Sequence, residues 1–296
     1  MNETLKRGIS GAIYIALLLS SILFSTESFI ILFGIFLIIA TYEFCNLIQL
    51  NKIFPLFFVA LFYTSISLIS FYKTETENYI NRIQNKNIKI DLDIDQVNII
   101  LLIITLIVSI KCIVFLFDDT AQSLSKLSKY VYLLGYILLP FVFITKISFG
   151  INDYNPKIII GLFILIWTND TFAYLVGKSI GKHKLLERIS PKKTIEGFIG
   201  GVVFAVFTGF LISKLYIKAS PSFSGKSILI WTSIALIVGI FGTIGDLIES
   251  KFKRIAGIKD SGKIMPGHGG ILDRLDSVIF VAPIVYLFYQ LLPYVS

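Results

Sequence analysis

Histidine and cysteine are scarce in this 296-residue chain, with two of each. Cys45 and Cys112 lie inside apolar runs and lack CxxC spacing, which excludes a thiolate zinc centre or a dithiol redox motif and leaves them as free structural thiols. No Ser-His or Cys-His pairing stands at a recognisable spacing, so covalent catalysis by an activated side chain finds no support. No Pro-, Gly- or Ser-rich linker divides the chain, and no internal inverted repeat is visible. The apolar runs leave no room for a large soluble domain, and one domain over residues 1–296 is the simplest organisation.

What is abundant is apolar surface. Hydrophobic residues make up 55% of the chain, against roughly 45–50% in a soluble domain, and the mean hydropathy is +0.81. Runs long enough to cross a hydrocarbon core recur at 9–24, 29–50, 53–72, 98–117, 130–147, 157–177, 196–217, 227–249 and 277–295. The expected fold class is therefore all-α, a polytopic membrane protein with about nine transmembrane helices. Lys6 and Arg7 precede the first run in the manner of a signal peptide. No A-x-A cleavage site follows, and the run is read as a retained span.

The net charge of +8 raises the question of nucleic acid. The basic residues occupy loops between spans rather than one soluble face, which excludes that class of partner. A cytoplasmic N-terminus puts 17 of the 27 Lys and Arg residues on the inner side and nine on the other, with Lys111 inside a span. The positive-inside rule then gives N-in and C-out. The polar stretch from Lys73 to Asn98 falls on the outer side as a solvated loop.

Two motifs are near misses. Asp91, Asp93 and Asp95 alternate like the start of a calcium loop, but Gln96 replaces the glycine and Leu102 the final glutamate. The run from Gly257 to Lys263 almost spells a Walker A loop, yet Ile264 stands where a magnesium-binding hydroxyl belongs.

Two other segments are richer: WTNDTFAYLVGKSIGKHKLLERISPKKTIEGFIGG at 167–201, and GDLIESKFKRIAGIKDSGKIMPGHGGILDRLDS at 245–277. Each has a carboxylate near the inner end of a span, Asp170 and Asp246. Such a residue at a helix centre costs roughly 2.5–3.5 kcal/mol on insertion scales and is seldom kept without a use. Asp273 and Asp276 are three apart, on one face of a helix. With Asp246 they are candidates for an oxygen cage around a hard cation, and magnesium suits it better than zinc. Lys192, Lys193, Lys253, Arg254, Lys259, Lys263 and Arg274 surround these acids, and Gly267, Gly269 and Gly270 flank His268. Carboxylates, cations and glycines in this mixture are the parts a phosphoryl-type transfer needs. His268 is assigned to positioning and His183 to an exposed loop. Glu43 and Lys111 are secondary candidates for the bundle interior.

The second segment resembles the signature of the phosphatidate cytidylyltransferases, or CDP-diacylglycerol synthases. The resemblance is carried by Ser250, Lys253-Arg254, Lys259-Asp260, Gly262, Pro266, His268-Gly269-Gly270, Asp273-Arg274 and Asp276, with Met265 as a mild departure. The first segment is similar to the family's other cytoplasmic block through Asp170, Ala173-Tyr174, Gly177, Ser190-Pro191, Lys193-Thr194 and Glu196-Gly197. The resemblance implies CTP and phosphatidate as substrates, CDP-diacylglycerol and pyrophosphate as products, and a magnesium ion, with a second cation admissible. It implies that Asp246, Asp273 and Asp276 hold metal and that Lys259, Lys193 and Arg274 meet phosphates. Ser190, Thr194, Lys253, Arg254 and Asp170 are the further substrate-binding candidates, and His268 joins the catalytic group. A bacterial plasma membrane, an active site on its cytoplasmic side and a homodimer are compatible with this expectation. The rival readings are a CTP-dependent lipid-alcohol kinase and, in another class, a transporter.

Overall fold

Only a helix satisfies every backbone N–H and C=O of a single span inside lipid, so long apolar runs fold as helices. The computed structural model describes residues 3–84, 94–118, 124–148, 154–217 and 224–295. Asp91 and Asp93 lie outside these residues, as do the side chains of Lys6 and of residues 70–95. The elements are α1 (Glu3–Phe24), α2 (Thr26–Leu47), α3 (Ile53–Gln84), α4 (Ile94–Phe117), α5 (Lys126–Tyr132) and α6 (Leu139–Ile147). There follow α7 (Pro156–Ile180), a hairpin of β1 (Lys184–Leu186) and β2 (Ser190–Thr194), α8 (Ile195–Leu211), α9 (Ser224–Ile255) and α10 (Leu272–Val295).

Among the described residues eight helical stretches are long and apolar enough to cross a bilayer, and a ninth, Ile53–Ile69 of α3, is shorter. This is an all-α multi-pass membrane protein. Local chemistry explains several element boundaries. Ser25 and Ser28 form a reciprocal capping box at the start of α2. Asn155 caps α7 ahead of Pro156, where the missing proline N–H is harmless. Pro140 has no N–H to offer the preceding turn, and the helix widens there into a π-helical stretch, Leu133–Leu138, that joins α5 to α6 without a break.

Helices α7, α8, α9 and α10 pack in succession, and α10 closes on α6. Small residues set the spacing, as usual between membrane helices. Gly161 lies under the Trp231 ring, and Gly209 against the Trp231 carbonyl. Phe29, Phe33, Phe44, Phe141 and Phe163 fill the core, whereas Ile31, Phe57, Ile107, Val203 and Phe207 point outwards, as lipid-facing positions do. Lys251, buried on α9, donates to the carbonyls of Phe115, Leu116 and Asp118 and so caps the end of α4.

Two departures from the expected layout matter for the site. Helix α9 continues to Ile255, beyond the apolar run at 227–249, because its charged last turns are paired inside the protein. The β1–β2 hairpin, with Lys184 opposite Thr194 and Leu186 opposite Ser190, stands where an all-helical reading put only a loop. Pro191 is accommodated because the hairpin has free edges.

Candidate active site

The end of α9 and the start of α10 are joined by a segment whose glycines have separate tasks. Helix α9 closes in a Schellman motif, with Ile258 N–H on the Lys253 carbonyl at 2.9 Å, Gly257 N–H on the Arg254 carbonyl at 3.0 Å, and Gly257 at φ +70°. Gly257 is thus a helix terminator, and the Walker-like spacing has this separate origin. Met265, Pro266, Gly267 and His268 make a type II turn: His268 N–H donates to the Met265 carbonyl at 2.9 Å, and Gly267 takes φ +78° after the proline.

Asp246 lies on the face of α9 that meets α10. Gly245 beside it has no room for a methyl against the Asp276 carbonyl, and this close approach sets the two aspartates side by side. From the hairpin, Lys193 Nζ reaches Asp246 Oδ2 at 2.5 Å. Ser250 donates to the other Asp246 oxygen at 3.2 Å. Asp276 accepts the Ser277 N–H at 2.7 Å and faces the charges of Asp246 and Asp170. Asp170 on α7 accepts from the Asn169 amide at 3.3 Å and senses Asp246, Lys193 and Arg274. Three helices and the hairpin therefore converge on one acidic cluster with Lys193 bound into it.

Asp273 is differently placed. One oxygen accepts from Lys253 Nζ at 2.6 Å; the other takes the Ser261 N–H, the Ser261 hydroxyl and the Gly270 N–H, each at 2.8 Å. Three residues along a helix turn a side chain by about 60°, so Asp273 folds back over the helix start while Asp276 looks along the bundle. The expected cage of Asp246, Asp273 and Asp276 is accordingly split. Among the described residues no three His, Cys, Asp or Glu side chains converge closely enough to enclose a metal ion by themselves. The donors nearest such a role are Asp246, Asp276 and Asp170.

Several expected substrate contacts have structural partners. Lys253 is buried between Glu249 and Asp273. Arg254 donates to the Ile189 carbonyl at 3.1 Å and ties the hairpin to α9. Thr194 is buried, caps α8 through Gly197 N–H at 3.1 Å, and packs against Gly177 and Gly181. Its work is to aim Lys193. Ser190 is half-buried at the start of β2, and Lys259 is exposed beyond the Schellman turn. Arg274 is exposed and donates to the His268 carbonyl at 2.9 Å. His268 Nδ1 meets the Ser10 hydroxyl at 2.8 Å. Burial first, then the positive charges of Arg274 and Arg7, hold the His268 imidazole below its usual pKa. The other histidine, His183, is exposed and pairs with Glu196 at 2.6 Å.

Glu43 has a larger part than its secondary standing suggested. Buried on α2, it accepts the N–H groups of Ile271 at 3.2 Å and Leu272 at 2.8 Å and contacts the Ser261 hydroxyl at 3.2 Å. It is the cap of α10, supplied from another helix. Lys111 approaches the Ser128 hydroxyl at 3.4 Å and the Tyr132 ring, away from this cluster. Glu249 escaped the sequence reading, although a Glu four residues before Lys253 within an apolar helix is a recognisable signal of a buried pair.

The profile of the Cytidylyltransferase family matches residues 5–292. The phosphatidate cytidylyltransferase of Staphylococcus aureus (strain COL) is 51% identical over 123 residues, 42% of this chain and 45% of that protein. Similar proteins of the same name occur in Staphylococcus epidermidis (strain ATCC 12228), 43% identical over 129 residues, and Staphylococcus haemolyticus (strain JCSC1435), 49% over 123. The matched stretch spans about half the length of each relative, 45% to 47%.

Proposed function

From the premise that this chain belongs to the cytidylyltransferase family, we propose that it transfers the cytidylyl group of CTP to phosphatidate, releasing pyrophosphate and forming CDP-diacylglycerol. The observation that carries this reading is the convergence of Asp170, Asp246 and Asp276 with Lys193 at one end of the bundle. The names of the staphylococcal relatives support the choice of substrates.

The donor set fits magnesium. In their ionised forms the three carboxylates outnumber Lys193, they offer only hard oxygens, and magnesium is commonly held by one or two carboxylates together with substrate phosphates. Asp246 and Asp276 would hold the ion, with Asp170 nearby, and when bound it supplies charge neutralisation for the phosphates. The chain's own residues do the remaining work. Lys193, held on Asp246 by the hairpin, is available to a phosphate oxygen when the nucleotide enters. Lys259, exposed just past the end of α9, adds positive charge for the pyrophosphate, and Arg274, exposed in the first turn of α10, is a separate cation for substrate phosphate. Gly267 and Gly269, both at positive φ, let the motif loop pass closely under Arg7 and over Asp273, where a methyl would collide.

A phosphomonoester, with a second pKa near 6, is largely dianionic at neutral pH and needs no base. Its oxygen forms a bond to the α-phosphorus of CTP as the bond to the bridging oxygen of pyrophosphate breaks; the electron pair leaves with pyrophosphate. Electrostatic positioning by fixed charges suffices for such a transfer. The reading also places both motif segments on the cytoplasmic side, where soluble CTP is found.

The test is purified protein with phosphatidate, magnesium and each of the four nucleoside triphosphates. CTP alone should sustain pyrophosphate release, and α-phosphate label should enter the lipid. Entry of γ-phosphate label would instead identify a kinase.

A further inference from the structure

One face of α1 is unlike the rest of that helix. Arg7, Ser10, Gly11 and Tyr14 follow at spacings of three, four and seven, which stacks them on a single stripe. Each meets the motif loop or its charges. The Ser10 hydroxyl donates to the Pro266 carbonyl at 3.0 Å and lies 2.8 Å from His268 Nδ1. Gly11 faces the His268 ring, which would stand 3.3 Å from a methyl there. The stem of Arg7 lies across Gly267. The Tyr14 hydroxyl is buried, has no hydrogen-bond partner among the described residues, and senses the charges of Arg274 and Asp276.

The charge on the stripe is Arg7, and Arg274 brings a second guanidinium from α10. Among the described residues neither Arg7 nor Arg274 forms an ion pair, although both guanidinium groups act on the same imidazole. The flanks of α1 are apolar and open: Leu5, Ile9 and Ile13 are 55%, 44% and 60% exposed. A ligand reaching this stripe along the helix would keep hydrocarbon in the bilayer and bring an anion to two arginines.

We propose that the α1 stripe, with Arg274 and the Gly267 turn, is the subsite for the phosphate of the acceptor lipid. The proposal rests on the cytidylyltransferase reading. Arg7 and Arg274 bind the phosphomonoester oxygens through charge-assisted, fork-shaped hydrogen bonds, and the unpartnered Tyr14 hydroxyl is available as a further donor. Ser10 is a positioning residue that fixes His268 and the turn. The attacking phosphate is then held beside Asp276, one helical turn beyond Asp273.

A nucleotide triphosphate presents the same oxygens, so the experiment separates the two sources. Wild type, Arg7→Ala, Arg7→Gln and Arg7→Lys, each full-length and checked for an unchanged melting temperature, are assayed in mixed micelles with phosphatidate and CTP varied independently. Loss of charge-assisted bonds should raise the KM for phosphatidate roughly tenfold or more in the Ala and Gln variants, with the KM for CTP unmoved. Lysine, a point charge without the fork, should restore part of the loss. In parallel, short-chain phosphatidate and short-chain phosphatidylcholine are titrated onto the protein without CTP, and the preference for phosphatidate should disappear with Arg7. An unchanged lipid KM together with an unchanged lipid preference overturns the proposal. A parallel rise in the KM for CTP overturns it too, by giving the stripe to the nucleotide. A wild type that prefers phosphatidate but turns over no CTP keeps the subsite and removes the cytidylyltransferase reading.

Discussion

Asp273 and Asp276 stand on the same helix three residues apart, yet their surroundings differ in kind. Asp273 accepts four hydrogen bonds, from Lys253, Gly270 and both donors of Ser261. Asp276 accepts one, from its neighbour Ser277, and otherwise faces Asp246 and Asp170. The first carboxylate is spent on architecture: with Lys253, Glu249 and Glu43 it fixes where α9 ends and α10 begins. The second belongs to a group of like charges in which, among the described residues, Lys193 is the one cation in an ion pair, an arrangement suited to completion by a cation and phosphates. A signature motif therefore mixes two populations, and hydrogen-bond saturation tells them apart where residue type does not.

The sharpest way to break this comparison is to remove the cation at the centre of the architectural network. Lys253→Met leaves Glu249 and Asp273 facing each other, with side chains only 1% and 7% exposed. Breaking a buried pair of this sort costs about 3–5 kcal/mol. Thermal unfolding in detergent should show a fall of many degrees, and a melting temperature near that of the wild type would dissolve the architectural half of the argument.

Asp246→Asn probes the other half. Its pair with Lys193 is 33% and 26% exposed, and such pairs contribute at most about 1 kcal/mol to stability. Turnover should nevertheless fall by roughly 10²–10³-fold, the usual loss on removing one preorganised electrostatic group. A variant as unstable as Lys253→Met, or one with near-native kcat, would place Asp246 with Asp273.

Hydropathy located the helical runs because a bilayer demands about 20 apolar residues per span. It ended the run before α10 at 249, since Ser250 to Arg254 look like a loop when their partners are unknown. Asp246 and Asp276 stand out in the sequence as candidates because acids near span ends are expensive, and Lys193 because it lies in a basic run beside them. Lys253, Arg254 and Thr194 look like substrate contacts because a sequence shows charge and hydroxyl but not the Glu249 and Asp273 carboxylates beside Lys253, the Ile189 carbonyl that Arg254 meets or the Gly197 N–H that Thr194 accepts. Glu43 lies 228 and 229 positions from Ile271 and Leu272, and no local pattern announces a contact of that range. The α1 stripe had a visible spacing, but only the loop opposite it gives the spacing a meaning.

A smaller effect is expected where architecture depends on a single acceptor. Glu43→Gln keeps the shape of the side chain and one carbonyl oxygen, but turns an amide NH2 donor towards a group of donors: two N–H groups and a hydroxyl. One bond is lost, and the cost is about 1–2 kcal/mol. Hydrogen exchange should quicken at Ile271 and Leu272 while the buried stretch from Val278 to Val285 stays protected. Equal loss of protection along the whole of α10 would mean that Glu43 supports the helix generally rather than capping it.

The smallest expected effect lies between the two networks, at His268. Burial, Arg274 and Arg7 all favour the neutral imidazole, so its pKa in the folded protein is below the usual value, which is near 6.5 in an unfolded chain. Between these values the unfolded chain binds more protons than the folded one, and stability rises with pH. The contribution is complete above about 6.5 and is lost as pH falls through the depressed folded value. In a His183→Gln background, which leaves His268 as the sole histidine, NMR titration of the remaining imidazole should give a midpoint below 6.5. Removing either arginine's charge should move that midpoint upwards, and Arg7→Gln does so without touching the acidic cluster. His268→Gln should flatten the stability profile in that window while leaving the plateau at higher pH. An ordinary midpoint in the folded protein, unmoved by Arg7→Gln, would mean that the two arginines do not share one field over the motif loop, and the boundary between architecture and chemistry would then run on the other side of His268.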